Sequence, residues 1–86
     1  MAIENRYDVI TRINEHYGKM SKGQKAISAF IYDHYDQAVF MTAARLGETV
    51  GVSESTVVRY AMFIGYNGYP EFQRDLEDWV QNKINS

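Results

Sequence analysis

Apolar residues recur three or four positions apart along nearly the whole chain. The recurrences break at glycines, at the single proline and at short hydroxyl-rich stretches. That spacing is the period of an α-helix; no convincing run of strict alternation, the mark of a half-buried strand, occurs. Five helical segments are expected. The first covers about 3–17, with Ile3, Tyr7, Ile10, Ile13 and Tyr17 on one stripe and Gly18 at its end. The second begins at Ser21, where Ser21-Lys22-Gly23-Gln24 has the form of a capping box. Ile27, Phe30, Ile31 and Tyr35 make its stripe, and Asp36 to Met41 reads as a connector with at most one helical turn.

A short third helix is predicted over 42–50, capped by Thr42, with Leu46 and Val50 turned inward. Gly51 suits the left-handed backbone of a tight helix–helix turn. Ser53 caps a fourth helix that runs to about Ile64, and Gly65 can end it. Asn67-Gly68-Tyr69-Pro70 then turns the chain into a fifth helix, with Pro70 at its first position. Phe72, Leu76, Trp79, Val80 and Ile84 form that helix's apolar face. The expected fold is all-α: one compact five-helix domain over 1–86.

The fourth segment has two distinct faces. At about 100° per residue, Val57, Tyr60, Ala61 and Ile64 fall within an arc of about 100°. The opposite arc holds Ser55, Arg59 and Met62, flanked by Thr56 and Val58. A short helix, a glycine turn and a second helix, with the small Gly47 at the crossing, spell a helix-turn-helix, which lays its second helix in the major groove of DNA. Ser53, Ser55 and Thr56 stand at the helix N-terminus, where hydroxyls and amides can hold phosphate oxygens. Arg59, one turn on, has the fork that fits O6 and N7 of guanine. Val58 or Met62 can touch a thymine methyl. Glu54 suits the positive end of the helix dipole, with acceptance from a cytosine amino group as the alternative.

Composition limits what else the chain can be. Its 86 residues make one domain, and seven Tyr, four Phe and one Trp supply much of the core. There is no Cys, hence no disulfide framework and no thiolate metal site. His16 and His34 lie in different segments without a carboxylate–histidine motif, so no zinc site is expected. No phosphate-binding glycine loop and no nucleophile elbow occur, so neither a cofactor nor an enzyme activity is expected. Lys19-Met20-Ser21-Lys22 spells most of the KMSK loop of class I aminoacyl-tRNA synthetases. That loop works only beside a nucleotide-binding α/β domain, and nothing here builds one. No apolar run approaches a membrane span, and the chain reads as soluble and cytoplasmic.

The formal charge is −2, but it is unevenly spread. Residues 19–32 carry Lys19, Lys22 and Lys25 and no acid, whereas 71–80 carry Glu71, Asp75, Glu77 and Asp78 against Arg74. Lys22 and Lys25 are candidate phosphate contacts flanking the motif. The acidic fifth helix is expected to lie away from DNA, and binding is expected to be weak and steeply salt-dependent.

Met20 to Leu76, about two-thirds of the chain, resembles the N-terminal domain of the RpiR family of bacterial transcription regulators. The resemblance rests on S-x-x-Q-x-x-I at Ser21, on VGVSESTVVR from Val50 to Arg59, and above all on GYNGYPEF from Gly65 to Phe72. Tyr60 stands where the family pattern leads one to expect Phe. The resemblance implies a DNA-binding domain joined to a C-terminal sugar isomerase-type domain that senses phosphosugars. It implies repressors or activators of sugar-metabolism genes, acting as dimers or higher oligomers. Its recognition helix corresponds to Ser53–Ile64, so Ser53, Ser55, Thr56 and Arg59 are the implied DNA-binding positions. The sequence ends at Ser86, where the sensor domain is expected to begin. The chain therefore reads as an N-terminal domain, with a stand-alone short protein as the alternative, and a phosphosugar effector would act only through a C-terminal domain outside it. The expected partners are a palindromic double-stranded DNA operator and a second copy of the chain. The stripe of Phe72, Leu76, Trp79, Val80 and Ile84 is read first as closing the domain's own core, with the alternative that part of it and the first helix form the dimer surface. The rival reading is a helical protein-interaction module without DNA affinity.

Overall fold

In the computed structural model, which describes residues 8–85, five α-helices follow one another: α1 (Val9–His16), α2 (Lys22–Ala38), α3 (Ala43–Val50), α4 (Glu54–Phe63) and α5 (Tyr69–Asn85). A 3-10 turn, Tyr17–Lys19, joins the first two, and the described residues include no strand. Short polar residues open the first four helices. Asp8 accepts from the Thr11 amide, Thr42 from that of Arg45 and Ser53 from that of Thr56, each across three residues. Ser21 and Gln24 close both arms of the capping box, at 2.9 and 3.2 Å. Each bond satisfies an amide that has no partner within its own helix.

Three boundaries depart from the sequence pattern, the smallest at α5, which opens at Tyr69 and puts Pro70 second. Ile3 and Tyr7 lie outside the described residues. Within α1 the inward residues are Val9 and Ile13, while Ile10 is half-buried and Tyr17 is exposed. The helix stops at His16, and the tighter 3-10 turn carries Tyr17 off the stripe. The second helix runs past Tyr35 to Ala38, across a kink at His34 (φ −140°, ψ 43°). Residues 36–38 are therefore helical rather than connector, and burial of Ala38 and Val39 holds them in place. The side chain of Ile84 also lies outside the described residues.

The core is one cluster. Ile13, Ile27, Ile31, Leu46, Val57, Tyr60, Ile64, Phe72 and Leu76 are fully enclosed. Helix α5 closes it from one side. Phe72 meets the rings of Tyr60, Tyr66 and Tyr69 at centroid distances of 6.0, 5.9 and 5.5 Å. Trp79 sets its edge against Tyr35 at 5.2 Å, so this part of the stripe packs within the domain. Polar groups of α5 also clamp the α2–α3 connector. The Tyr69 hydroxyl donates to the Met41 carbonyl at 2.7 Å, and Gln73 Nε2 donates to the Val39 and Met41 carbonyls at 2.9 Å. Burial pushes the Tyr69 hydroxyl up to about 12.

One polar pair sits inside the core. Ser28 Oγ lies 2.8 Å from the Tyr60 hydroxyl and 3.2 Å from Met20 Sδ, and both Ser28 and Tyr60 are sealed from water. Burial drives the Tyr60 hydroxyl well above its ordinary range. The hydroxyl that Tyr adds at this position thus has its partner one helix away. Removing Ser28 strands the Tyr60 hydroxyl, whereas removing that hydroxyl leaves Ser28 only the Met20 sulfur. Ser28→Ala is expected to cost about 1–3 kcal/mol, whereas adding Tyr60→Phe should recover most of the loss. Urea unfolding of the two single variants and the double variant measures this. An additive double variant would mean that the pair is not coupled.

Candidate nucleic-acid interface

The α3–α4 unit is held by a glycine that no other residue can replace without movement. A Cβ on Gly47 would lie 2.7 Å from the Val52 carbonyl oxygen and 3.1 Å from that of Ser53. The Gly47 carbonyl itself accepts from the amides of Gly51 and Val52, both at 2.8 Å. Gly51 takes the left-handed conformation at φ 87°. Small residue, left-handed turn and capped second helix together set α4 across α3.

From that turn, α4 points two faces in opposite directions. Val57, Tyr60, Ala61 and Ile64 have no solvent exposure. Ser53, Ser55, Arg59 and Met62 are exposed, and Thr56 and Val58 are partly covered on the flanks. The predicted helical phase is therefore the observed one. Ser53, Glu54, Ser55, Val58 and Arg59 line a shallow depression on this outer face. Helix α5 packs on the opposite side, since Phe72 touches Tyr60, so its exposed acids Glu77 and Asp78 stand away from Arg59.

The three hydroxyls at the head of α4 differ in their duties. Ser53 Oγ accepts from the Thr56 amide at 3.1 Å and also bonds Ser55 Oγ at 3.2 Å and Thr56 Oγ1 at 2.9 Å. Ser53 is thus the centre of a small hydroxyl cluster that defines the helix start. Ser55 and Thr56 carry the cluster outward.

The two lysines do not sit alike. Gly23 packs against the turn: a Cβ there would lie 3.3 Å from Val52 Cγ1 and 4.0 Å from Thr56 Cγ2. This contact brings the start of α2, with exposed Lys22, up to the start of α4. Lys25 lies about 160° around α2 from Gly23, and its Nζ sits 5.1 Å from the centre of the Tyr17 ring. Lys22 and Lys25, three residues apart, lie only about 60° from each other around α2; what distinguishes them is the Tyr17 ring beside Lys25.

Sequence reasoning missed Arg12. From α1 its guanidinium Nη1 reaches the carbonyls of Ile64 and Gly65, at 3.5 and 3.4 Å, where α4 ends. The guanidinium carbon also stands 4.6 Å over the Tyr66 ring. A cation suits the negative end of a helix dipole. More than fifty positions separate these partners, so no local pattern announces them. In sequence Gly23 is only part of a capping box; its packing role has no local signature either.

Among the described residues no group of His, Asp and Glu could hold a metal ion, and no helix is long and apolar enough to cross a membrane.

The model of the helix-turn-helix domain of the rpiR family matches residues 7–83. An uncharacterised HTH-type transcriptional regulator of Providencia stuartii is 36% identical over 64 residues, which cover 73% of this chain and 23% of that protein. The HTH-type transcriptional regulator GlvR of Bacillus subtilis is 31% identical over 71% of this chain and 24% of its own length. HexR of Pseudomonas aeruginosa, another HTH-type transcriptional regulator, is 28% identical over 80% of this chain and 24% of itself. The chain thus spans about a quarter of the length of the curated relatives it matches. With its glycine crossing, left-handed turn and serine-capped second helix, the chain belongs to the rpiR family of helix-turn-helix domains found in transcriptional regulators.

Proposed function

We propose that this domain binds double-stranded DNA sequence-specifically for a bacterial transcription regulator, with α4 in the major groove. The observation that carries the reading is the outer face of α4. It is exposed, it presents Ser55 and Arg59, and it lies opposite a face that is wholly buried. In this reading Ser53 holds the helix start, Ser55 and Thr56 meet phosphate oxygens, and Arg59 reads a guanine edge. Lys22 clamps the flanking backbone. Lys25 would have to leave the Tyr17 ring to do the same, so Lys22 is the favoured cation. Its family membership supports a regulator of sugar metabolism that works as a homodimer on a palindrome. The two recognition helices would then be about 34 Å apart, or a multiple of that. A phosphosugar effector would act through a further domain of such a regulator, in the cytoplasm.

Selection from a random duplex pool at low salt, with wild type and Arg59→Ala side by side, tests the proposal. Wild type is expected to enrich a palindrome. Arg59→Ala should bind that site about 1–3 kcal/mol more weakly and lose preference at one base pair of each half-site. Equal weakening on every sequence would reduce Arg59 to a phosphate contact. No enrichment, even with a dimeriser fused to the domain, would favour the protein-interaction module.

A further inference from the structure

Large apolar side chains exposed among the described residues are Tyr17, Tyr32, Phe40 and Met62. Of these, Met62 alone is on α4, and it is 54% exposed. It stands seven residues after Ser55 and three after Arg59, which places it about 20° from the first and about 60° from the second around the helix. It therefore points along the middle of the outer face, away from the core. Val58, the other apolar residue on this side, lines the shallow depression but is half-buried and packs against the core cluster, so it is the less exposed of the two.

An unbranched thioether carries no strong hydrogen-bonding group, so Met62 has little to offer phosphate or the polar base edges. Its chain is long, flexible and polarizable, and it adapts to small apolar surfaces. The major groove offers one such surface, the C5-methyl of thymine. The rise from Arg59 to Met62 is about 4.5 Å, more than one base-pair step of about 3.4 Å and less than two. We infer that Met62 is a specificity-determining residue that covers the thymine methyl of the base pair next to the one read by Arg59. The inference rests on α4 being the recognition helix.

The test uses the enriched duplex from the selection. Each thymine of a half-site is replaced in turn by deoxyuridine, which removes only the methyl group. Binding is measured for wild type, Met62→Ala, Met62→Leu and Arg59→Ala. For wild type one replacement per half-site, beside the guanine assigned to Arg59, should weaken binding about fourfold, the factor for one methyl group taken from water. Met62→Ala should bind thymine and deoxyuridine duplexes equally, while Met62→Leu keeps the difference. Thermal unfolding of both Met62 variants should match wild type, because the side chain is outside the core. A methyl effect of the same size in Met62→Ala would overturn the inference. So would its absence in wild type, or a half-site with no thymine beside that guanine. If Arg59→Ala still loses base preference in those cases, the recognition helix stands and only the role of Met62 falls. If Arg59→Ala is also without effect, both readings fall together.

Discussion

Phe72→Ala is expected to remove about 3–5 kcal/mol of stability, the largest single loss in the domain. Phe72 is fully enclosed, and three tyrosine rings surround it. Truncation discards both the transfer free energy of the ring and the edge contacts with those tyrosines. Tyr60 stands on α4, Tyr66 between α4 and α5, and Tyr69 on α5, so the cavity would open where α4 rests on its support. Against a typical total of about 5–15 kcal/mol, such a loss leaves a small domain near its limit. Urea unfolding followed by Trp79 fluorescence measures it. A loss below about 1 kcal/mol would mean that α5 is not part of the cooperative unit and that the aromatic cluster is incidental.

Gly47→Val is expected to cost about 3 kcal/mol by overpacking. The new Cβ would meet backbone oxygens at 2.7 and 3.1 Å, and backbone cannot swing aside as a side-chain tip can. Replacing a helical glycine normally adds stability, so a large loss would mark steric conflict rather than a propensity effect. Relief requires α4 to move off α3. DNA affinity should therefore fall even in conditions where the variant is folded. Gly18→Ala is the control, because a Cβ there meets nothing within 4 Å. If Gly47→Val unfolded at the same urea concentration as that control, the crossing would have slack that the geometry does not suggest.

Much of the helix-turn-helix unit was legible because it is local. Caps at Ser21, Thr42 and Ser53 are three-residue events, and the left-handed turn at Gly51 is one residue. The phase of α4 follows from four apolar residues within eight positions. What escaped was set by distant partners. The inward turn of α1 depends on where the 3-10 turn begins, and the extra turn of α2 depends on the pocket awaiting Ala38 and Val39. Gln73 reads as an ordinary polar residue until its two carbonyl acceptors, more than thirty positions away, come into view. Lys22 and Lys25 look equivalent in sequence and differ only once the Tyr17 ring is seen beside Lys25.

The reach of Arg12 to the end of α4 bears on how tightly such a helix can bind. A recognition helix fastened only at its turn could rock about that hinge, and docking would have to arrest the motion. Here the head is held by the α3 crossing and the tail by a guanidinium from α1. The orientational entropy is surrendered when the chain folds, so less remains to be lost on contact. The outer face of α4 is thus part of a stiff block, and in the proposed reading the aim of that block on DNA is set by residues that need never touch it.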